Sequence, residues 1–219
     1  YLSIARPDNL FITDLQEKFQ TAGIEVKNSN LGQLPETTWF HYPSDYLGDI
    51  VHSLNVRSDN LYAESVLRLL SLSAHEKGSA EKGIDIIRKY WQNYEADSLE
   101  LFMYDGSGLA RNNKVSAKYL NCVLKETARD SLIGEYFVQT LPLAGKEGSV
   151  ATIMKHGELP GELRLKSGSM SDVHAYAGYY TTPQNRYAIV VMINNYTCTR
   201  AQLKQKISTL LTQVLSKKE

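Results

Sequence analysis

Leu163-Arg164-Leu165-Lys166-Ser167-Gly168-Ser169-Met170 is the stretch on which the reading of this chain turns. Its first half alternates apolar and basic residues, the period of a half-buried strand. A lysine, a hydroxyl and a glycine then follow in succession. Glycine carries no Cβ, so a ligand backbone can lie close against a strand at Gly168. Lys166 adds positive potential, and Ser167 and Ser169 offer hydroxyls and strand N–H groups to a substrate carbonyl or carboxylate. By itself the Lys-Ser-Gly triplet is equally a surface strand running into a turn, so its meaning depends on what stands upstream.

Working outward, the last third reads as three strands over residues 162–169, 173–181 and 187–194. Ser171-Asp172 and Pro183-Gln184-Asn185 are the turns between them, and turns this short imply antiparallel neighbours. Tyr179 and Tyr180, adjacent on the second strand, should face opposite sides of the sheet. Thr199 with Gln202 forms a capping box. It opens a helix with Leu203, Ile207, Leu210, Leu211, Val214 and Leu215 on one side, a stripe wide enough to cover a sheet face. Towards the N-terminus, helical periods start from Asp8 as a cap and end at Gly23. Others follow Ser44 as an N-cap, run from Leu61 to Leu70, and cover about 79–94, 116–128 and 130–140. Residues 24–26 and 99–103 read as extended, and Gly32 and Pro35 mark a polar loop. The expected class is mixed α/β (α+β), an antiparallel sheet flanked by helices. With no repeat, low-complexity tract or linker, a single domain over residues 1–219 is expected.

Composition narrows the functions. Twenty-four basic side chains balance twenty-four acidic ones, so nothing points to nucleic acid or an anionic membrane as partner. No apolar run approaches the roughly 18 residues of a transmembrane segment. Cys122 and Cys198 are too few for a disulfide framework or a zinc site. His41, His52, His75, His156 and His174 have no ligand spacing, so neither metal nor cofactor is expected. The chain opens at Tyr1 without a methionine or a signal-peptide pattern, as expected of a processed product or part of something longer.

Ser58-Asp59-Asn60 lies between two helical patterns, and Lys166 follows Asn60 by 106 positions. A Ser–Asn turn is ordinarily a helix cap. In this order, with Lys166-Ser167-Gly168 on a later strand, the two elements resemble the second and third signatures of the penicillin-recognising serine enzymes. Residues 57–64, Arg-Ser-Asp-Asn-Leu-Tyr-Ala-Glu, residues 104–111, Tyr-Asp-Gly-Ser-Gly-Leu-Ala-Arg, and Leu141-Pro142-Leu143-Ala144-Gly145 narrow the match. The chain from about residue 40 onward resembles the D-alanyl-D-alanine carboxypeptidase/endopeptidase family, the class C low-molecular-mass penicillin-binding proteins of the peptidase S13 type.

That resemblance implies a DD-peptidase/β-lactamase-like transpeptidase fold, with Ser58, Asn60 and Lys166 as catalytic residues converging on one cleft. It implies that Ser58 relays a proton towards the leaving amine and that Asn60 orients the scissile carbonyl. Lys166 would hold positive potential near the terminal carboxylate and keep the Ser58 hydroxyl poised. Ser167, Gly168 and Ser169 would bind substrate, with Ser169 N–H as half of an oxyanion hole. Ser167 departs from the threonine more usual there; the hydroxyl survives, so the role is expected to persist. The partner implied is a peptidoglycan stem peptide or a β-lactam, and the compartment periplasmic or extracellular.

The larger departure is an absence. The family's first element, the Ser-x-x-Lys that bears the nucleophile, should precede Ser58, and nothing before Arg57 fits it. The one literal match, Ser79-Ala80-Glu81-Lys82, comes after Ser58-Asp59-Asn60 at the polar start of a helix, where serine is a natural cap. The chain is therefore expected to be the C-terminal part of such an enzyme, incomplete on its N-terminal side. A missing N-terminal segment or a neighbouring chain would cover the outer edge of the last strand. A triad can be assembled on paper from Ser107, His174 and Asp105, but a turn explains their glycines more simply. Two further readings stay open: a non-catalytic module binding peptidoglycan peptides or a partner, and a β-lactamase-like hydrolase whose deacylating glutamate loop has no evident counterpart.

Overall fold

Strands β3 (Glu162–Met170), β4 (Val173–Thr181) and β5 (Arg186–Asn194) form the expected antiparallel meander in the order β3-β4-β5. The computed structural model describes residues 7–25, 43–74, 77–94, 100–154 and 159–217. The β3–β4 ladder runs unbroken from Glu162↔Thr181 to Met170↔Val173, closed by the two-residue turn at Ser171-Asp172. Asp172 takes φ 59°, a left-handed conformation that Asp tolerates better than most side chains.

The chain forms two compact units, Tyr1–Pro43 and Ser44–Glu219. The first contains α1 (Pro7–Thr21), closed at Gly23 with φ 72°. The second contains α2 (Leu47–Arg57), α3 (Asn60–Ser73), α4 (Ala80–Trp91), the short pair β1 (Leu101–Phe102) and β2 (Lys114–Val115), α5 (Ala117–Arg129), α6 (Gly134–Thr140), the meander, and α7 (Arg200–Leu215). The readings at Val26, Gly32, Pro35 and Leu99 lie outside the described residues, as do His41, His75 and His156. Ser44 is not the cap of α2. Tyr46 occupies that position and makes no side-chain cap bond.

Both faces of the sheet are covered, which is why the strands carry so many apolar residues. On one face Leu163, Leu165, Tyr176 and Tyr180 pack against Leu203, Ile207, Leu211 and Leu215 of α7. On the other, Tyr179 packs against Leu124 of α5 and Val138 of α6, and its hydroxyl donates to the Leu124 carbonyl at 2.7 Å. The adjacent tyrosines thus face opposite sides, as alternation requires. The capping box forms as the spacing predicts, with Thr199 and Gln202 bonding reciprocally. Only four of the six apolar positions of α7 are buried. Leu210 and Val214, 50% and 46% exposed, border a groove beside Ile189 and Val191 of β5. Among the described residues β5 pairs with β4 alone, so its outer edge is open there.

His174 tests how this core responds to acid. Its Nε2 shares a 2.9 Å hydrogen bond with the Tyr176 hydroxyl, while its Nδ1 is buried without a partner. Burial, with smaller contributions from the Lys204 and Arg200 charges, lowers its pKa from the ordinary value of 6.5. The folded state thus disfavours the proton, which the unfolded chain accepts below about 6.5. Stability from the neutral imidazole is fully present above that pH and declines as pH falls through it towards the folded-state value. Urea midpoints measured from pH 7.5 downward should fall more steeply below about 6.5 in the natural chain than in His174→Gln.

Candidate active site

The groove at the exposed end of β3 is built from three pieces of chain that are far apart in sequence. The first is the joint between α2 and α3. Ser58 is the C-cap of α2 in a left-handed conformation, φ 55° and ψ 50°, unusual for a residue with a side chain. Asp59 caps α3, its carboxylate accepting from the Tyr62 N–H at 3.0 Å. The expected cap is thus real, but it is Asp59. Ser58 and Asn60 on either side both line the groove. The helix that ends in Ser58 is tied to α6, where buried Asn55 Nδ2 donates to Thr140 Oγ1 at 3.0 Å.

The second piece is β3, an edge strand. The first half of its outer edge is occupied by Leu141-Pro142-Leu143-Ala144. The Ala144 N–H donates to the Leu163 carbonyl at 2.8 Å, and the Leu165 N–H donates to the Pro142 carbonyl at 3.0 Å. Beyond Leu165 that segment turns away, and Lys166 to Met170 line the groove. The half-buried Lys166 ammonium donates to Ser58 Oγ at 2.8 Å and to the Ser167 carbonyl at 2.7 Å. Burial lowers its pKa. Two residues 108 positions apart thus meet at hydrogen-bond distance.

The third piece comprises two loops that sequence reasoning did not assign. Glu64 on α3 accepts from the N–H groups of Gly106 and Ser107, both at 3.0 Å, and from the Ser107 hydroxyl at 2.8 Å. One carboxylate oxygen therefore fixes the loop opposite β3. Ser149, in the 3-10 turn Gly148–Val150, places its hydroxyl 2.6 Å from that of Ser167. Glu64 closes the stretch 57–64 already singled out and Ser149 lies in none, and a fold-dependent contact leaves no spacing signal for either. The resulting groove has a volume of about 610 Å³.

Ser58, Asn60, Lys166, Ser167, Gly168 and Ser169 all line this one groove. The Ser107, His174 and Asp105 set is not brought together as a triad. His174 faces the α7-side core with Tyr176, the Ser107 hydroxyl is held by Glu64, and Asp105 accepts from Gly108, Ala110 and Asn113. Ser79 is the N-cap of α4 and accepts from the Lys82 N–H, the bland role its context predicts. Cys122 and Cys198 are half-buried thiols that are not joined in a disulfide. Among the described residues no cluster of acidic, histidine or cysteine side chains could hold a metal, and no helix is long and apolar enough to cross a membrane.

Comparison with known proteins supplies a family and a fold likeness. The model of the D-Ala-D-Ala carboxypeptidase 3 (S13) family matches residues 1–217. The chain is 27% identical over 206 residues to the D-alanyl-D-alanine carboxypeptidase DacB of Haemophilus influenzae, covering 90% of this chain and 42% of that protein. It is 25% identical over 193 residues to the D-alanyl-D-alanine carboxypeptidase of an Actinomadura species, covering 83% of this chain and 36% of the relative. The fold is similar to that of Haemophilus influenzae penicillin binding protein 4 in complex with a β-lactam. The TM-score is 0.75 at 24% identity, covering 98% of this chain and 52% of that one. The chain thus spans well under half the length of these two curated relatives.

Gly148 holds the α2 joint against the Ser149 turn. It has φ 49°, and an added Cβ would stand 2.2 Å from the Val56 carbonyl oxygen of α2. Gly148→Ala should destabilise the chain by about 2 kcal/mol or more, through both the clash and the left-handed backbone. Gly48→Ala, in helix α2 with open space around it, should be neutral or slightly stabilising. Urea unfolding of the two variants side by side checks this.

Proposed function

The chain belongs to the D-Ala-D-Ala carboxypeptidase 3 (S13) family, and on that premise we propose that it is the C-terminal portion of the catalytic domain of a serine-type D-alanyl-D-alanine carboxypeptidase or endopeptidase. The substrate class is the peptidoglycan stem peptide or its cross-links, β-lactams bind as its mimics, and the compartment is the cell envelope. The observation that carries this reading is the Lys166–Ser58 hydrogen bond at the foot of an open strand edge, with Asn60 lining the same groove.

Each group has a physical task. A peptide laid along the free half of β3 pairs its backbone with strand N–H and C=O groups, as any extended segment does at a sheet edge. Asn60 orients the scissile carbonyl with its side-chain amide. The Ser169 N–H is one oxyanion donor, a contribution worth on the order of 3 kcal/mol in such sites. The Lys166 ammonium holds the Ser58 oxygen as an acceptor, which leaves the hydroxyl proton free to point at the leaving amine. Its lowered pKa reduces the cost of passing a proton through Ser58 during the reaction. Ser167 and Ser169 hydroxyls, with the Lys166 charge behind them, receive the terminal carboxylate.

The nucleophile is supplied by a Ser-x-x-Lys element outside these 219 residues. Ser58 is engaged by Lys166, and Ser79 is committed to capping α4. The 219-residue chain alone should gain no penicilloyl mass when incubated with a penicillin, whereas a longer product carrying Ser-x-x-Lys should gain one. Its Lys166→Ala variant should acylate much more slowly, since an orienting group contributes less than the nucleophile but far from nothing. Intact-protein mass spectrometry reads all three. A penicilloyl adduct on the short chain would assign the nucleophile within it, and a longer product inert to both penicillin and D-Ala-D-Ala peptides would favour a non-catalytic binding module.

A further inference from the structure

We infer that Ser149 is a substrate-positioning residue of this groove, holding the Ser167 hydroxyl so that the pair presents one outward proton to the carboxylate end of the substrate. This rests on the DD-peptidase reading and extends it to a residue on a different element from the strand.

Three observations carry it. The Ser149 and Ser167 hydroxyl oxygens lie 2.6 Å apart, a short hydrogen bond between two neutral groups. Ser149 is exposed and lines the same groove as Ser58, Lys166 and Ser169, so the contact faces ligand and not core. The turn that bears it is fixed on its other side. Gly148 lies directly against the Val56 carbonyl of α2, two residues before Ser58, at a distance no side chain could fill. The 3-10 turn therefore references the α2 joint and the β3 strand to one another.

The proton count gives the contact its consequence. Two hydroxyls carry two protons, and the bond between them uses one. Whichever serine donates, the other keeps a single proton free to point outward, and that proton finds an acceptor in a carboxylate oxygen. A lone Ser167 hydroxyl would rotate freely and could equally turn its proton to the solvent. The Lys166 ammonium, two of whose three N–H donors go to Ser58 and the Ser167 carbonyl, is not bonded to the Ser167 hydroxyl and leaves that rotor to Ser149. The pair is thus a recognition device for an acceptor-only group. It should favour a terminal carboxylate, both of whose charged oxygens accept, over a terminal amide, which offers one neutral acceptor oxygen and turns an NH2 to its other contacts.

The test uses the full-length enzyme carrying its own Ser-x-x-Lys, with two peptides that differ only at the end, D-Ala-D-Ala and D-Ala-D-Ala-amide. Hydrolysis of each is followed for the natural enzyme, Ser149→Ala and Ser149→Thr. Ser149→Ala should lower kcat/KM for the carboxylate peptide by about tenfold, the worth of a charge-assisted hydrogen bond, and change the amide peptide little. Ser149→Thr, which keeps the hydroxyl, should restore most of the preference. Equal losses on both peptides, or no loss on either, would overturn the inference while leaving the peptidase reading intact. A natural enzyme that cleaves neither peptide and takes up no penicillin would instead remove the reading on which the inference rests. Should Ser149→Ala fold poorly, Ser149→Cys, close in size with a much weaker donor, gives the same comparison, and an unchanged carboxylate preference there also counts against the inference.

Discussion

The ammonium of Lys166 is the point on which the site depends. It stands between a hydroxyl from a helix joint and a carbonyl of its own strand, at 2.8 and 2.7 Å. Both partners are neutral, and among the described residues no carboxylate offsets the burial that lowers its pKa. A cation without a counter-ion costs stability and is useful where an anion is to be received. The rest of the second unit can be understood as the scaffold that holds this charge at the mouth of a groove and away from the core.

Among the described residues the scaffold does so by covering both faces of the sheet and half of the β3 edge. Apolar clusters on the two faces leave the strands no freedom to shift register, because a one-residue slip would bring Tyr179 and Tyr180 to the wrong sides. The segment Leu141 to Ala144 then closes the first half of the β3 edge through backbone bonds and releases the second. The groove begins where that pairing ends. An exposed edge is usually a liability that proteins shield. Here the unshielded portion coincides with Lys166, Ser167, Gly168 and Ser169, the residues able to engage an extended ligand.

Opposite the edge, order comes from single polar groups with several partners. Glu64 fixes one wall by accepting three hydrogen bonds at one oxygen, and the Asn55–Thr140 bond anchors the helix that ends in Ser58. Strain at Ser58 is the counterpart of this rigidity. A serine held at φ 55° persists because α2, α3 and Lys166 together determine its position. Its hydroxyl is delivered at a corner between two helices, where no regular element would place it.

Much of this was legible in the amino-acid sequence because its physical causes are local. Alternation over residues 162–194 and turns of two or three residues determined the meander, its antiparallel sense and the opposite facing of Tyr179 and Tyr180. The Thr199–Gln202 capping box and the i,i+4 leucines determined α7, and the order of Ser58-Asp59-Asn60 before Lys166-Ser167-Gly168 pointed to the family and the groove. What only the tertiary structure decided are contacts between segments with no spacing in common. That Leu210 and Val214 remain exposed depends on what lies beside β5, which helical periodicity cannot encode. That Asp59 caps and Ser58 is freed for Lys166 depends on a left-handed turn between two helices. That Ser149 meets Ser167 depends on a glycine fitted against Val56, ninety-two positions earlier in the chain. A period reports which face of an element is buried, whereas the partner across a groove is chosen by packing, and packing is a property of the whole fold.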